Sequence, residues 1–486
     1  MSDKLKILFV SSEVAPFAKT GGLADVAGSL PPALKEQGLD VRVVMPRYKI
    51  VEEPMLTRLD FPITISGRKE TAVIKEHRDG LVSGGHRVPV YFVDNYHYFD
   101  RKGLYGYPDE AARFAFFCRA VLEMLPGLDF NPDIIHCHDW QTGPIPVLIK
   151  EKYTNDPFYQ NTATVFTIHN LQYQGNFPPD CLDFLGLPKE LYSPEKLEFY
   201  GDVSFLKAGL IYSDLINTVS KSYAKEITTP AYGEGMEGIL RMRSDDLFGI
   251  LNGIDYTQFN PSNDPLIESH YTSQDISHKT DNKYALQQAM NLPVKDVPLL
   301  GVVSRLASQK GLDLLAQILD KVLAQNTQVV LLGTGENYYE NLFKEAAAKY
   351  PDKFAAYIGF NAGLAQKIYA GCDMFLMPSK FEPCGLGQLI SLRYGTIPIV
   401  RSTGGLADTI TNYNPETMQG NGFVFEEPEA DQFWQAANRA IQVYQQPEKW
   451  AGLVKNSMNC DFSWARSALD YTDLYNSAIK KQQQKI

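Results

Sequence analysis

Cysteine is scarce in this 486-residue chain, and the six residues present, Cys118, Cys137, Cys181, Cys372, Cys384 and Cys460, are scattered with no C-x-x-C pair. A chain of this size needs no disulfide framework, so a reducing cytoplasm is its simplest home. Long apolar runs are missing too. Nothing approaches the roughly 18 uninterrupted apolar residues of a membrane span. The run Ile7 to Val10 is far shorter than a signal-peptide core and is soon followed by the carboxylate of Glu13. Positive charge is in deficit: 46 Lys and Arg face 57 Asp and Glu, a net charge of -11. That balance argues against a general nucleic-acid or anionic-membrane surface, and any anionic ligand must find a local positive pocket. Finally, the glycine-rich segment Lys19 to Val26 (KTGGLADV) is neither a G-x-G-x-x-G fingerprint nor a P-loop, which excludes an NAD or ATPase reading there.

What is present describes an ordinary globular protein: 44% hydrophobic residues, 21% charged residues, 36 Gly and 29 Pro. The length predicts more than one core, with two large domains as the first expectation. Short apolar or β-branched runs alternate with helix-length amphipathic stretches, the rhythm of parallel strands joined by crossover helices. The first half offers Lys6 to Val10, Val41 to Met45, Val88 to Val93, Asp133 to Cys137, Thr164 to Ile168 and Leu215 to Thr218. The second restarts at Leu299 to Val303, then Gln328 to Leu332, Ala355 to Ile358, Met374 to Met377 and Ile397 to Val400. Two doubly wound α/β domains follow, over residues 1–255 and 256–460, with 461–486 as a C-terminal segment. The tail Lys480 to Ile486 reads as a fraying end.

The hexapeptide TGGLAD occurs twice, at Thr20 to Asp25 and at Thr403 to Asp408, each time after an expected strand. Two glycines before a helix start let a ligand approach backbone N–H groups at the positive end of the helix dipole. Either copy alone is equally a tight turn. The pair points to a ligand held between the two halves. Lys19, just before the first copy, can neutralise a phosphate, although a lone lysine there is ordinarily solvated.

In the second half Ser304 to Asp313 (SRLASQKGLD) follows a strand, placing Arg305 and Lys310 at the end of the sheet where ligands bind. A planar guanidinium and a point-charge ammonium five residues apart fit a diphosphate. Lys380 to Gln388 (KFEPCGLGQ) again lies past a strand, Pro383 pinning the turn and Gly385 and Gly387 opening backbone amides. Glu382 there reads as an acceptor for sugar hydroxyls or a catalytic group. Cys384 is a further candidate, as a nucleophile, with no histidine nearby in sequence to activate it. His136, Cys137, His138 and Asp139 lack a second cluster to complete a metal site. His169 and Asn170, at the end of TVFTIHN, stand at the same topological level as Asp139. Singly, His169 is a packing histidine; with the other loops it becomes a cleft residue.

In this order KTGGLADV, HDW, TIHN, NGID, SRL..QKGLD, EPCGL and STGGLADT closely resemble the bacterial glycogen and starch synthases, from Lys6 to about Tyr475. The resemblance implies the glycosyltransferase B architecture, two Rossmann-like domains facing across a cleft, with Phe462 to Tyr475 as a helix returning to the first. It also implies retaining transfer of glucose from an ADP-glucose donor to the non-reducing 4-hydroxyl of an α-1,4-glucan acceptor such as glycogen, with no metal or other cofactor. On that likeness Arg305 and Lys310 bind the diphosphate and Glu382 contacts the glucose hydroxyls. Lys19 with the Gly21 and Gly22 backbone approaches the donor, as does Asp25. His169, Asp139 and Asn252 line the glucose pocket, and Cys384, Gly385 and Leu386 complete the donor loop.

Three positions depart from the family pattern: Gly387 and Ala307 stand where threonine is usual, and Phe259 where tryptophan is usual. Donor affinity is the property they bear on. The competing reading is a sugar or nucleotide binding module without catalysis, which needs no paired leaving-group cations. The motifs leave ADP against UDP preference and oligomeric state open.

Overall fold

The computed structural model describes residues 4–83 and 85–484. The chain folds as two compact units, one running to Gly253 and resuming at Trp464, the other Ile254–Ser463. The joins thus fall at 253/254 and 463/464, against 255/256 and 460/461 in the sequence reading.

The first unit is built on strands β1 (Lys6–Val10), β2 (Asp40–Pro46), β3 (Met55–Ile65), β4 (Arg68–His77), β5 (Val90–Asp94), β6 (Ile134–His138), β7 (Ala163–Ile168), β8 (Leu215–Thr218) and β9 (Leu247–Gly249). Their spatial order is β9-β8-β7-β6-β1-β2-β5-β4-β3. Seven are parallel, and β3 and β4 close one edge antiparallel. The central strands are covered on both faces, which is why they read as continuous apolar runs. The β3–β4 hairpin escaped the sequence reading because its outer face is charged and exposed and its alternation is ragged. The signal that would have found it is the Ser66-Gly67 turn, where both residues adopt positive φ, 46° and 79°, as a two-residue hairpin requires.

The second unit has a six-stranded parallel sheet: β10 (Leu299–Val303), β11 (Gln328–Gly333), β12 (Phe354–Ile358), β13 (Met374–Met377), β14 (Ile397–Arg401) and β15 (Phe423–Phe425). The order is β12-β11-β10-β13-β14-β15. Both sheets therefore run outward from their first strand and then reverse, so each has a switch point, between β1 and β6 and between β10 and β13. Chain crossing over to opposite faces leaves a crevice at the carboxyl ends there.

Helix α1 (Gly22–Glu36) follows β1, α2 (Leu312–Ala324) follows β10, α3 (Gly387–Arg393) follows β13 and α4 (Gly404–Thr409) follows β14. Helix α5 (Trp464–Gln483) belongs to the first unit, its Tyr471 and Tyr475 fully buried. The expected fraying from Lys480 is not observed as far as Gln483. Lys481 pairs with Asp246, and Gln482 donates to the Gln160 carbonyl at 3.2 Å and accepts from Lys150 at 3.1 Å. Residues 485 and 486 of that expectation lie outside the described residues.

Candidate active site

The switch point of the second unit holds a cavity of about 180 Å³ lined by Arg305, Lys310, Ser379, Glu382, Gly385 and Leu386, among others. Two loops make it, and they are spliced together. Gln309 accepts from the Lys380 N–H at 2.8 Å and donates from Nε2 to the Phe381 carbonyl at 3.2 Å. Gly311, at φ 65°, lies so close to the Pro378 carbonyl that any side chain would clash. This register puts Lys310 Nζ 2.6 Å from Glu382 Oε2, and Ser379 Oγ donates to the same oxygen at 3.0 Å. Both charged side chains are largely buried, at 17% and 9% exposure, so each is the other's main compensation. Arg305 is exposed, its nearest tie a long 3.4 Å contact to Gln309. Gly385, at φ 75°, turns the chain while Gln388 donates to the Cys384 and Gly385 carbonyls at 3.0 and 2.9 Å. Cys384 is buried, a poor position for an attacking thiolate.

The second TGGLAD copy requires a correction. The repeat points to a ligand and leaves each copy alone equally a tight turn; here Thr403 to Leu406 are buried, and Gly405 donates its N–H to the Glu382 carbonyl at 3.0 Å. A Cβ on Gly404 or Gly405 would strike the backbone of Glu382 or Cys384. This copy is a buttress for the Glu382 loop, and its glycines permit backbone to pack on backbone.

The first copy is open. Lys19 to Gly22 are exposed, and a Cβ built on Gly21 or Gly22 meets nothing within 4 Å outside its chain neighbours and its own helix. Glu13, 4% exposed, holds the loop from below: it accepts the Thr20 N–H, the Thr20 hydroxyl at 2.6 Å, the Gly21 N–H at 3.3 Å and the Tyr105 hydroxyl at 2.8 Å. The sequence reading used Glu13 only as a charge ending an apolar run. Its spacing from the glycines, with Pro16 between, was the available signal. Lys19 pairs with Asp25 at 2.6 Å across the start of α1.

At the carboxyl ends of β6 and β7, Asp139 and His169 meet. Asp139 Oδ1 accepts the His169 N–H at 2.7 Å. Its backbone, at φ 57° and ψ -179°, sits in a region that residues other than glycine rarely enter, a strain of about 1–3 kcal/mol that clusters at functional sites. Burial lifts the Asp139 carboxyl to about 7 against the pull of the His169 and Asn170 N–H groups, and burial lowers His169 to about 3. His169 is therefore a neutral hydrogen-bonding group near pH 7. Asn252, 6% exposed, has a buried side-chain oxygen with no hydrogen-bond partner among the described residues. The structure thus joins Lys310 to Glu382, Asp139 to His169 and Lys19 to Asp25. Among the described residues no group of three His, Cys, Asp or Glu side chains is arranged to hold a metal ion.

Residues 6–242 match the starch synthase catalytic domain, and residues 286–456 match the glycosyl transferases group 1 family. The glycogen synthase of Desulforudis audaxviator is 57% identical over 98% of this chain and 97% of its own. The chain belongs to the glycogen and starch synthase family of glycosyltransferases. The glycogen synthases of Moorella thermoacetica and Thermotoga maritima are 56% and 48% identical, over 99% and 98% of this chain and 98% and 99% of theirs. The catalytic domain of starch synthase IV from Arabidopsis thaliana, solved with ADP and acarbose bound, superposes with a TM-score of 0.91 at 33% identity, covering 98% of this chain and 100% of that one. Sucrose-phosphate synthase from Thermosynechococcus elongatus shares the fold, at a TM-score of 0.60 and 16% identity over 98% and 99% of the two chains. Membership of the synthase family explains the resemblance of the motifs and gives the two-domain glycosyltransferase B fold. The non-catalytic binding module finds no support among these relatives. Among the described residues no helix is long and apolar enough to cross a bilayer.

Proposed function

We propose that this chain transfers glucose from ADP-glucose to the non-reducing 4-hydroxyl of an α-1,4-glucan, with retention at the anomeric carbon, in the cytoplasm. The observation that carries the reading is the pair of cations at the second unit's switch point, Arg305 exposed and Lys310 held on Glu382. A departing nucleoside diphosphate needs fixed positive charge near its developing negative oxygens, and two preorganised cations supply it without reorganisation. On donor binding Lys310 turns part of its charge to the diphosphate. Glu382 and the Cys384, Gly385 and Leu386 backbone then receive the glucose hydroxyls. The second unit is the nucleotide-sugar side and the first the acceptor side. There Lys19, steadied by Asp25, and the exposed Gly21–Gly22 backbone at the start of α1 face anionic oxygen, while Asp139, His169 and Asn252 offer hydrogen bonds to glucose. As the C1–O bond to the diphosphate breaks, the acceptor oxygen bonds to C1 from that same face. Its proton passes to the leaving oxygen beside it, so retention needs no covalent glycosyl-carboxylate intermediate.

Glucan extension from ADP-glucose against UDP-glucose tests the donor, and faster extension from UDP-glucose would refute it. Arg305→Ala and Lys310→Ala are each expected to lower kcat by about 2.7–4 kcal/mol in activation free energy. Arg305→Ala leaves thermal stability unchanged because the side chain is exposed. Lys310→Ala lowers it as well, since Glu382 loses its partner, and adding Glu382→Gln restores stability but not turnover. Wild-type rates in both single variants would overturn the assignment.

A further inference from the structure

The strand ends beneath His169 contain more polar chemistry than sugar binding requires. His138 closes β6 and its ring meets that of His169, Nδ1 to Nε2, at 2.9 Å. Burial drives His138 well below its ordinary pKa and His169 to about 3, so both rings are neutral at pH 7. In a contact between two neutral imidazoles one nitrogen must donate and the other accept.

The second nitrogen of His138 decides which. His138 Nε2 is buried and has no hydrogen-bond partner among the described residues. Phe9 stacks on the ring with centroids 4.0 Å apart, and His136 tilts against it at 4.0 Å. His136 is already committed, Nδ1 to the Tyr475 hydroxyl of α5 at 2.9 Å and Nε2 to Thr167 Oγ1 at 2.7 Å. Thr167 is shared with Asn217 at 3.2 Å, and Asn217 also reaches the Tyr471 hydroxyl at 3.2 Å. A proton on His138 Nε2 would be a buried N–H with nothing to receive it, an arrangement rarer in proteins than an unpaired acceptor. The proton therefore belongs on Nδ1, facing His169.

We propose that His138 is a positioning residue that donates from Nδ1 to His169 Nε2 and so fixes His169 in the tautomer that carries its proton on Nδ1. His169 is half-buried and its Nδ1 makes no hydrogen bond within the described protein, so that N–H is what the ring offers to a sugar oxygen. The nitrogen that could act as a base is occupied. This rests on the proposed place of His169 in the glucose pocket and refines it: the residue is a donor of fixed direction and not a proton acceptor. The helix α5 tyrosines hold the layer beneath in place.

The tautomer can be read without any activity. Long-range 1H–15N correlation spectra of the full chain labelled at its eight histidines, assigned with His169→Gln and His138→Asn, are expected to show His169 protonated at Nδ1 and bare at Nε2. Protonation at Nε2, or at both nitrogens, overturns the proposal. Kinetics supply the second arm. His138→Asn keeps an N–H at the position of Nδ1 and is expected to retain kcat within about threefold, whereas His138→Leu loses about tenfold, the scale of one hydrogen bond. Equal losses in both variants that track a fall in melting temperature, or unchanged kcat in His138→Leu, overturn the positioning role. A wild-type chain that fails to use ADP-glucose would refute the functional reading while leaving the spectra to decide the tautomer.

Discussion

The same six letters, TGGLAD, do opposite work in the two units. At Thr20 to Asp25 the glycines are exposed and a side chain there would meet open space, so neither conformation nor packing demands glycine. At Thr403 to Asp408 both glycines are buried and Gly404 adopts φ 46°, with backbone where a side chain would go. A glycine that the fold does not need leaves the backbone uncovered by a side chain and open to approach from outside the protein. A glycine that the fold does need lets two loops touch. The first copy is open to solvent, where the proposed function places the donor, and the second holds the loop that carries Glu382.

The sharpest way to break this comparison is one substitution in each copy. Gly405→Ala places a Cβ on the Cys384 backbone, which cannot retreat without moving Glu382. A loss of about 3 kcal/mol or more is expected from such overpacking, together with collapsed activity. Thermal unfolding checks it, and a near wild-type midpoint would dissolve the buttress role. Gly22→Ala should do the reverse. Alanine is the better helix residue by about 0.5–1 kcal/mol, so stability holds or rises. The added methyl stands over the amides at the start of α1, and the KM for the nucleotide-sugar increases. An unchanged KM would remove the first copy from the donor site.

Sequence could not separate the copies, because what distinguishes them is the neighbour each finds in space. The buttress depends on residues about twenty positions upstream of Gly404, and the Lys310–Glu382 ion pair joins residues 72 apart. What was legible has a local cause. Strands buried on both faces show as apolar runs, and the loops after β1, β6, β10 and β13 were found by glycines and charges at strand ends. The polar ladder His138, Thr167 and Asn217 lies in register across three buried strands. It was invisible as a network because its partners on α5 are more than 250 residues away. The β3–β4 hairpin was missed because half of it faces water.

A pH experiment extends the contrast between a part kept for function and a part kept for the fold. Asp139 titrates near 7 in the folded chain against an ordinary 3.8. Below pH 3.8 both folded and unfolded forms are protonated and the residue is neutral to stability. From about pH 4 to 7 only the unfolded chain ionises, so the fold loses stability as pH rises, and above about 7 the penalty is constant. Asp139→Asn should therefore match the wild type at pH 3.5 and become the more stable protein by pH 8, with lower activity throughout. Melting midpoints across that range decide it, and a gap that narrows with rising pH would be the wrong sign.

The smallest expected effect is at Gly387, one of the positions where the family resemblance leads to an expectation of threonine. Its backbone is outside the left-handed region, so a side chain is not excluded by conformation, unlike Gly385 two residues before. The obstacle is packing: a Cβ comes to 3.1 Å from the Phe375 ring and 3.5 Å from the Met377 sulfur. Both are side chains on β13 that can shift by a few tenths of an ångström. Gly387 also lines the cavity with Arg305 and Lys310, where a hydroxyl would reach a bound phosphate. Gly387→Thr should lower the KM for ADP-glucose by one neutral hydrogen bond, about 0.5–1.5 kcal/mol, with little change in kcat. Steady-state kinetics over a donor titration read both terms. A raised KM with a lowered melting temperature would mean that Phe375 does not give way, placing Gly387 with Gly405 among the glycines that the fold itself requires.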